Sequence, residues 1–183
     1  MFERAGTQNT DKAIEIAVKT AKERKITHLV VASTKGETAR KVLEAIKGTG
    51  LKLVVVTHST GFGEPGVQEF DRGLREEIEA AGHHVHTGVH MLRGLGKAIK
   101  NRVGCSEEEL VANLLRIFGQ GIKVCVEITA MATDAGLVPC PGDVVAVAGS
   151  GRGADTVVII GTAPTHDFFK IKVRSIVAKP FDF

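Results

Sequence analysis

Two periodicities of apolar and polar positions run through the first half of the chain, and together they predict an α/β fold. Short apolar runs at 28–32 and 51–57 read as buried strands. Apolar residues also recur every three or four positions, which predicts helices over about 10–24, 34–47 and 68–81. Apolar strands that alternate with helices are typical of a parallel sheet covered on both faces. We therefore predict an α/β domain built on such a sheet.

In the second half of the chain the regular alternation of strands and helices stops. A short strand near 84–86 precedes a Gly-rich stretch with a short helix at 97–102. Ser106 and Glu109 form a capping box that opens a helix with Leu110, Leu114 and Ile117 on one stripe. A largely apolar helix follows at 120–135, and the chain ends in strands. These final strands are predicted at 143–148, 155–160 and 168–177. Because the loop between the first two is too short for a helix, we expect an antiparallel pair at the sheet edge.

Composition narrows the class of protein. Hydrophobic residues make up 43% and charged residues 25% of 183 residues, which predicts one globular domain over 1–183. A net charge of +3 without any basic run disfavours nucleic acid as a partner. Cys105, Cys125 and Cys140 are widely spaced, which favours reduced thiols and a cytoplasmic location. No apolar run approaches the length of a membrane span, so we expect no membrane insertion.

The strongest local motif is Ser33-Thr34-Lys35-Gly36-Glu37-Thr38, which stands where a buried strand turns into a helix. Unpaired amides and the dipole at a helix N-terminus favour an anion. Hydroxyls and one lysine would add further contacts to a phosphate. The same residues, Thr34 to Glu37, also read as a capping box that needs no ligand. Residue pattern alone leaves both interpretations open.

A second candidate loop, at 149–156, is rich in glycine. Gly149, Gly151 and Ala154 fit the spacing of a dinucleotide fingerprint, but a Val/Ile strand follows instead of a helix, so we reject that assignment. The loop could still wrap a ligand, with Arg152 on a phosphate. The alternative is a flexible surface hairpin.

A third loop follows the strand at 51–57 and should emerge at the same sheet edge as the Thr34 motif. Phe62 lies between two glycines and could rest against a flat ring, with hydrogen bonds from His58 and Thr60. The alternative is an ordinary turn with one exposed Phe.

Two further patterns give weaker hypotheses. His84 and His86 share a strand face, but no carboxylate or cysteine stands at ligand spacing, so we expect no metal. Lys123, Glu127 and Asp134 share one stripe of the apolar helix. We interpret that stripe as a narrow solvated face with a Lys123–Glu127 pair and not as an acid–base site. No catalytic set is predicted, and whether the protein is an enzyme stays open.

The blocks 13–18, 29–39 and 53–57, with Ala135-Gly136-Leu137-Val138-Pro139 and 142–149, resemble the C-terminal domain of pyruvate kinase. The whole chain resembles the stand-alone family called pyruvate kinase alpha/beta domain. Segments 121–128 and 152–156 carry the more specific part of this resemblance. It implies a three-layer α/β fold with a mixed sheet. It does not imply kinase activity, because phosphoryl transfer takes place in a separate (β/α)₈ barrel that 183 residues cannot contain.

The resemblance further implies that FMN is the cofactor, with its phosphate on the Thr34 loop. The implied cofactor-binding residues are Asn9, Thr10, Ser33, Thr34, Lys35, Gly36, Glu37, Thr38, His58, Thr60, Gly61, Phe62, Gly149, Gly151, Arg152, Gly153, Ala154, Asp155 and Thr156. Glu37 departs from the kinase pattern and would repel a sugar bisphosphate. The resemblance also implies a homo-oligomer, since the kinase domain packs against neighbours.

Three functions remain as hypotheses. The first is an FMN-binding domain, the second a regulatory or assembly module that senses a small phosphorylated metabolite, and the third a flavin-dependent reductase.

Overall fold

A computed structural model describes all residues, Met1–Phe183. Its central sheet has six strands in the order β4-β3-β2-β5-β6-β7, and β1 and β8 form a separate two-stranded parallel sheet. The strands are β1 (Phe2–Arg4), β2 (His28–Ala32), β3 (Lys52–Thr57), β4 (His84–Thr87), β5 (Asp143–Ala148), β6 (Thr156–Gly161), β7 (Lys172–Ala178) and β8 (Pro180–Asp182). The helices are α1 (Thr10–Arg24), α2 (Glu37–Ala45), α3 (Arg72–Ala80), α4 (Gly94–Val103), α5 (Glu107–Arg116) and α6 (Gln120–Asp134).

The sheet is mixed, as predicted. Strands β4, β3, β2 and β5 run parallel, and β6 and β7 are antiparallel to their neighbours. In β2, β3 and β5 successive buried residues point to opposite faces and feed two separate cores. One core packs α1, α2 and α3 against the sheet, and the other packs α6 against the opposite face. The three-layer α/β prediction is therefore confirmed.

Four predicted starts are off by three or four residues. Helix α3 begins at Arg72 and not at 68, and α4 begins at Gly94 and not at 97. The other two have a visible cause. The last predicted strand, 168–177, begins only at Lys172, because Thr165–Lys170 forms a 3-10 turn first. This turn is fixed by Asp134, whose carboxylate accepts from the Thr165 amide at 2.8 Å. The helix predicted from Thr34 starts at Glu37, with Gly36 at the N-cap and no capping side chain. The capping-box interpretation of Thr34 to Glu37 is thereby also wrong.

No helix is both long enough and apolar enough to cross a lipid bilayer. The stripe of Leu110, Leu114 and Ile117 lies on α5 and its C-terminal end as predicted, but these side chains face solvent. Only Ala112 of α5 is buried.

Candidate functional site

Parallel strand direction brings the three motif loops together. The carboxyl ends of β2, β3 and β5 lie at one sheet edge, so the loops after Ala32, Thr57 and Ala148 meet there. They surround a cavity of about 700 Å³. Eleven residues of the three motifs line it, namely Ser33, Thr34, Lys35, Glu37, Thr38, His58, Phe62, Gly149, Gly151, Arg152 and Gly153.

Free backbone donors mark the β2–α2 loop. The first-turn amides of Glu37 and Thr38 have no acceptor within the chain, whereas the next amide, of Ala39, donates to the Ser33 hydroxyl at 3.3 Å. Gly36 adopts φ +112°, and a Cβ there would lie 2.6 Å from Leu74 Cδ2. A larger residue would therefore displace α3 or the loop. The loop thus presents unpaired amides beside three hydroxyl groups, which is an anion-binding arrangement.

The β5–β6 loop is held from below by Asp155. This fully buried carboxylate accepts from the amides of Gly6 at 3.1 Å and Ser150 at 3.2 Å. The Ala154 amide donates to Thr10 Oγ1 at 3.0 Å. Gly153 has φ +72°, and a Cβ there would collide with Thr10 Oγ1. These contacts leave Arg152 exposed at the cavity with no ion pair.

Eight residues of the predicted set do not line the cavity: Asn9, Thr10, Gly36, Thr60, Gly61, Ala154, Asp155 and Thr156. Thr10, Ala154 and Asp155 fix the β5–β6 loop instead. Asn9 donates to the Arg4 carbonyl at 2.7 Å, and exposed Thr60 accepts from Gln68. In the β5–β6 loop Ser150 Oγ is buried without a hydrogen-bond partner.

The β3–α3 loop supplies an aromatic wall. Phe62 stacks on His58, with ring centroids 3.8 Å apart and 28° between the ring planes. Arg93 lies over the Phe62 ring at 4.4 Å. Burial lowers the pKa of His58 below its usual value, and the hydrogen bond to Glu69 offsets this only in part. The His58 ring is therefore neutral at neutral pH and suited to stacking.

Another wall of the cavity is formed by buried Lys123 and Glu127 together with the partly buried His90. Glu127 Oε2 accepts from Lys123 Nζ at 2.5 Å and lies 3.0 Å from His90 Nδ1, while Oε1 accepts from the Leu92 amide at 3.0 Å. The Glu127 side chain is fully buried. Burial raises its pKa, but the hydrogen bond to His90 and the charge of Lys123 outweigh burial and lower the pKa to about 2. Glu127 is therefore ionised at any physiological pH.

This cluster corrects one sequence prediction. The Lys123–Glu127 pair forms as expected, but its stripe is buried between α6 and the cavity and is not a solvated face. Asp134 alone of the three residues is exposed. Lys123 and Glu127 stand at i and i+4 in an otherwise apolar helix, and this pattern could have indicated that the two side chains line an internal cavity. His90, Arg93 and Lys97 had no comparable signal. The first two lie in the irregular stretch before α4, and Lys97 lies in the first turn of α4.

The cavity carries an excess of positive charge. Six Lys or Arg residues and four Glu residues line it, which leaves two positive charges. Lys35, Arg93, Lys97 and Arg152 form no ion pair within the chain. Of the four carboxylates, Glu109 and Glu127 are paired with lysines, Glu69 lies 3.3 Å from the neutral His58 ring, and Glu37 has no ion pair. An anionic ligand is the partner that this distribution favours. No cluster of three or more His, Cys, Asp or Glu side chains could hold a metal ion.

Comparison with known proteins agrees with this architecture. The family model for the pyruvate kinase alpha/beta domain matches residues 11–160, which is most of the chain. The chain belongs to this family. A pyruvate kinase from Cryptosporidium parvum is similar at 15% identity over 84% of the chain, with a TM-score of 0.43. The Cryptosporidium parvum enzyme in complex with ADP is similar at 16% identity over 82% of the chain, with a TM-score of 0.40.

The chain spans only 23% and 22% of the length of those two kinases. The family assignment comes from the sequence model and not from these superpositions.

Proposed function

We propose that this pyruvate kinase alpha/beta domain binds a phosphate-bearing small molecule in the cavity at the carboxyl edge of its sheet, and that the ligand is FMN. The observation that carries the proposal is the β2–α2 loop. It combines unpaired amides, the hydroxyls of Ser33, Thr34 and Thr38, and unpaired cations nearby. A phosphate monoester supplies the acceptors that these amides lack and a counter-charge for Lys35, although Glu37 in the same loop also lines the cavity.

The FMN part of the proposal depends on the aromatic wall and the cavity size. About 700 Å³ lies within the range of small-molecule and cofactor sites. The neutral His58–Phe62 stack offers a flat surface for an isoalloxazine ring. In this arrangement Ser33, Thr34 and Thr38 would hold the phosphate, while Arg152 would close over it. FMN would supply redox chemistry when bound.

A sensor of phosphorylated metabolites is the second candidate. It is favoured by the cavity lining, which is mostly polar or charged around the small aromatic wall. A sugar phosphate would use the same loop and would leave Phe62 unused. Kinase activity is not part of either proposal, because the catalytic barrel of a pyruvate kinase has no counterpart in this fold.

The test is an absorbance spectrum of the purified, undialysed protein, followed by mass spectrometry of the ligand released by heat. We expect the two absorption bands of oxidised flavin and the mass of FMN. A colourless protein that releases a phosphorylated metabolite would replace FMN with the sensor. If the purified protein contains no ligand, calorimetric titrations with FMN and with ribose 5-phosphate distinguish the two candidates. If neither compound binds, both candidate functions are contradicted.

A further inference from the structure

Lys123 is a buried cation that lines the cavity with most of its hydrogen-bonding capacity unused. Its side chain is only 7% exposed. An ammonium group carries three N–H donors, and within the chain Lys123 donates only to Glu127 Oε2, at 2.5 Å. Because a buried donor that stays without an acceptor is unfavourable, the two remaining donors indicate an acceptor that enters the cavity.

Glu127 holds the Lys123 ammonium in a fixed position. The carboxylate is itself bound from two other directions, since its Oε1 accepts from the Leu92 amide at 3.0 Å and its Oε2 lies 3.0 Å from His90 Nδ1. His90 Nε2 in turn lies 3.3 Å from the Thr57 carbonyl oxygen. An anchor that cannot turn restricts the directions of the two free donors, which is the property of a preorganised recognition site.

The charge balance at Lys123 favours an uncharged oxygen as the acceptor. Ionised Glu127 already neutralises the ammonium. An anion that bound to Lys123 would lie next to the Glu127 carboxylate, and two negative charges repel strongly at a site removed from water. A carbonyl oxygen accepts the same hydrogen bond and adds no charge.

Lys123 and the β2–α2 loop approach the cavity from opposite faces of the sheet. Helix α2 belongs to one hydrophobic core and helix α6, which carries Lys123, belongs to the other. Both line the cavity at the carboxyl ends of the strands. A phosphate on the loop and an oxygen on Lys123 are therefore two separate groups of a ligand that crosses the sheet edge.

We propose that Lys123 binds a carbonyl oxygen of the ligand, at the end away from its phosphate, and that it is a specificity-determining residue. The cavity then selects phosphate monoesters that also carry a carbonyl group. This inference rests on the proposed function, because it takes the phosphate to be held by the β2–α2 loop. FMN meets the requirement, since its ring system carries two carbonyl oxygens. Ribose 5-phosphate does not, since ring closure consumes its carbonyl group.

The test compares FMN with ribose 5-phosphate on a charge-neutral double variant, Lys123→Met with Glu127→Gln. This variant removes one positive and one negative charge together, so neither partner is left buried and unpaired. In calorimetric titrations we expect the affinity for FMN to fall at least about tenfold, the usual effect of losing a hydrogen bond to a charged group. The affinity for ribose 5-phosphate should stay the same, because the β2–α2 loop is unchanged.

Lys19→Met with Glu23→Gln is the matched control. These residues form the same i, i+4 ion pair on α1, but the pair is largely exposed and lies outside the cavity. The control should leave both affinities unchanged, and circular dichroism melts check that both double variants fold.

Infrared difference spectra of bound FMN, labelled with ¹³C at one ring carbonyl or the other, test the contact without any substitution. One of the two carbonyl bands should lie at lower wavenumber than in free FMN, because a charged donor makes the stronger hydrogen bond. The double variant should lose this shift.

Equal affinity for FMN in the unmodified protein and in the Lys123→Met, Glu127→Gln variant would overturn the inference and leave the phosphate site standing. It would show that water alone satisfies the remaining donors of Lys123. The inference is also overturned if neither carbonyl band shifts, or if ribose 5-phosphate binds and FMN does not. If the unmodified protein binds neither compound, the proposed function itself is contradicted, and this inference with it.

Discussion

The two ends of the cavity satisfy their polar groups in opposite ways. At the β2–α2 loop the amides of Glu37 and Thr38 have no acceptor within the chain, and Lys35 forms no ion pair. At the α6 wall, Lys123 and Glu127 bind each other, and Glu127 also lies within hydrogen-bonding distance of His90. One end is open towards solvent, and the other is enclosed.

Burial explains this difference. A charge removed from water must be paired within the protein, since an unpaired buried charge costs several kcal/mol. Exposed Lys35 can remain hydrated until an anion arrives. We therefore interpret the polar groups of the β2–α2 loop as the ones that a ligand would pair. The α6 wall pairs its own charges and has the same geometry without a ligand.

The largest expected effect comes from breaking the buried Lys123–Glu127 ion pair at the enclosed end of the cavity. Glu127→Gln removes the only counter-charge of buried Lys123, and we expect the free energy of unfolding to fall by about 3 kcal/mol. Urea denaturation followed by circular dichroism measures it, since the chain has no Trp or Tyr for fluorescence. Glu69→Gln, which removes the partly exposed partner of His58, is the control and should cost below about 1 kcal/mol. Equal losses in both variants would contradict the comparison.

The effect of Glu127→Gln on stability should also depend on pH. The pKa of Glu127 is about 2 in the folded protein and 4.5 in its ordinary state. Because the folded pKa is the lower one, the stabilisation is fully present above pH 4.5 and is lost as the pH falls towards 2. The stability gap between the unmodified protein and Glu127→Gln should therefore narrow across that window. A gap that stays constant there would show that Glu127 does not act through its charge.

The next largest effect comes from a substitution in the β2–α2 loop, at the open end of the cavity. Thr38→Asp places a carboxylate among the free amides, so we expect the affinity for FMN and for ribose 5-phosphate to fall at least about a hundredfold. An acidic residue in the first turn is favourable for a helix, so α2 should persist. Thr38→Val, which removes the hydroxyl and adds no charge, should have a much smaller effect in calorimetric titrations. Unchanged affinity in Thr38→Asp would exclude this loop as the phosphate site.

The smallest effect separates the two candidate ligands. Phe62→Leu removes the aromatic face but keeps an apolar side chain, so the affinity for FMN should fall about threefold to tenfold. The affinity for ribose 5-phosphate, which has no flat ring, should stay the same. Equal changes for both ligands in titrations would mean that the aromatic wall does not contact the ring.

The sequence predicted the layers of the fold better than the contents of the cavity. Apolar runs and helical periodicity correctly indicated β2, α2, β3 and α6. The start of α2 was missed because Gly36, and not a capping side chain, begins the helix. The family resemblance implied that Asp155 and Thr10 contact the ligand, whereas their side chains hold the β5–β6 loop through hydrogen bonds.

What the sequence by itself determined is the strand and helix pattern, the family, and the shared sheet edge of two of the three motif loops. The tertiary structure added the β5–β6 loop to that edge. Strand direction then follows from short connections and apolar periodicity. Only the tertiary structure decided that Lys123 and Glu127 are buried, that His90 joins them, and that Leu114 faces outwards. The physical reason is that burial depends on what packs against a residue from distant parts of the chain, and helical periodicity shows which residues share a side but not which side is covered.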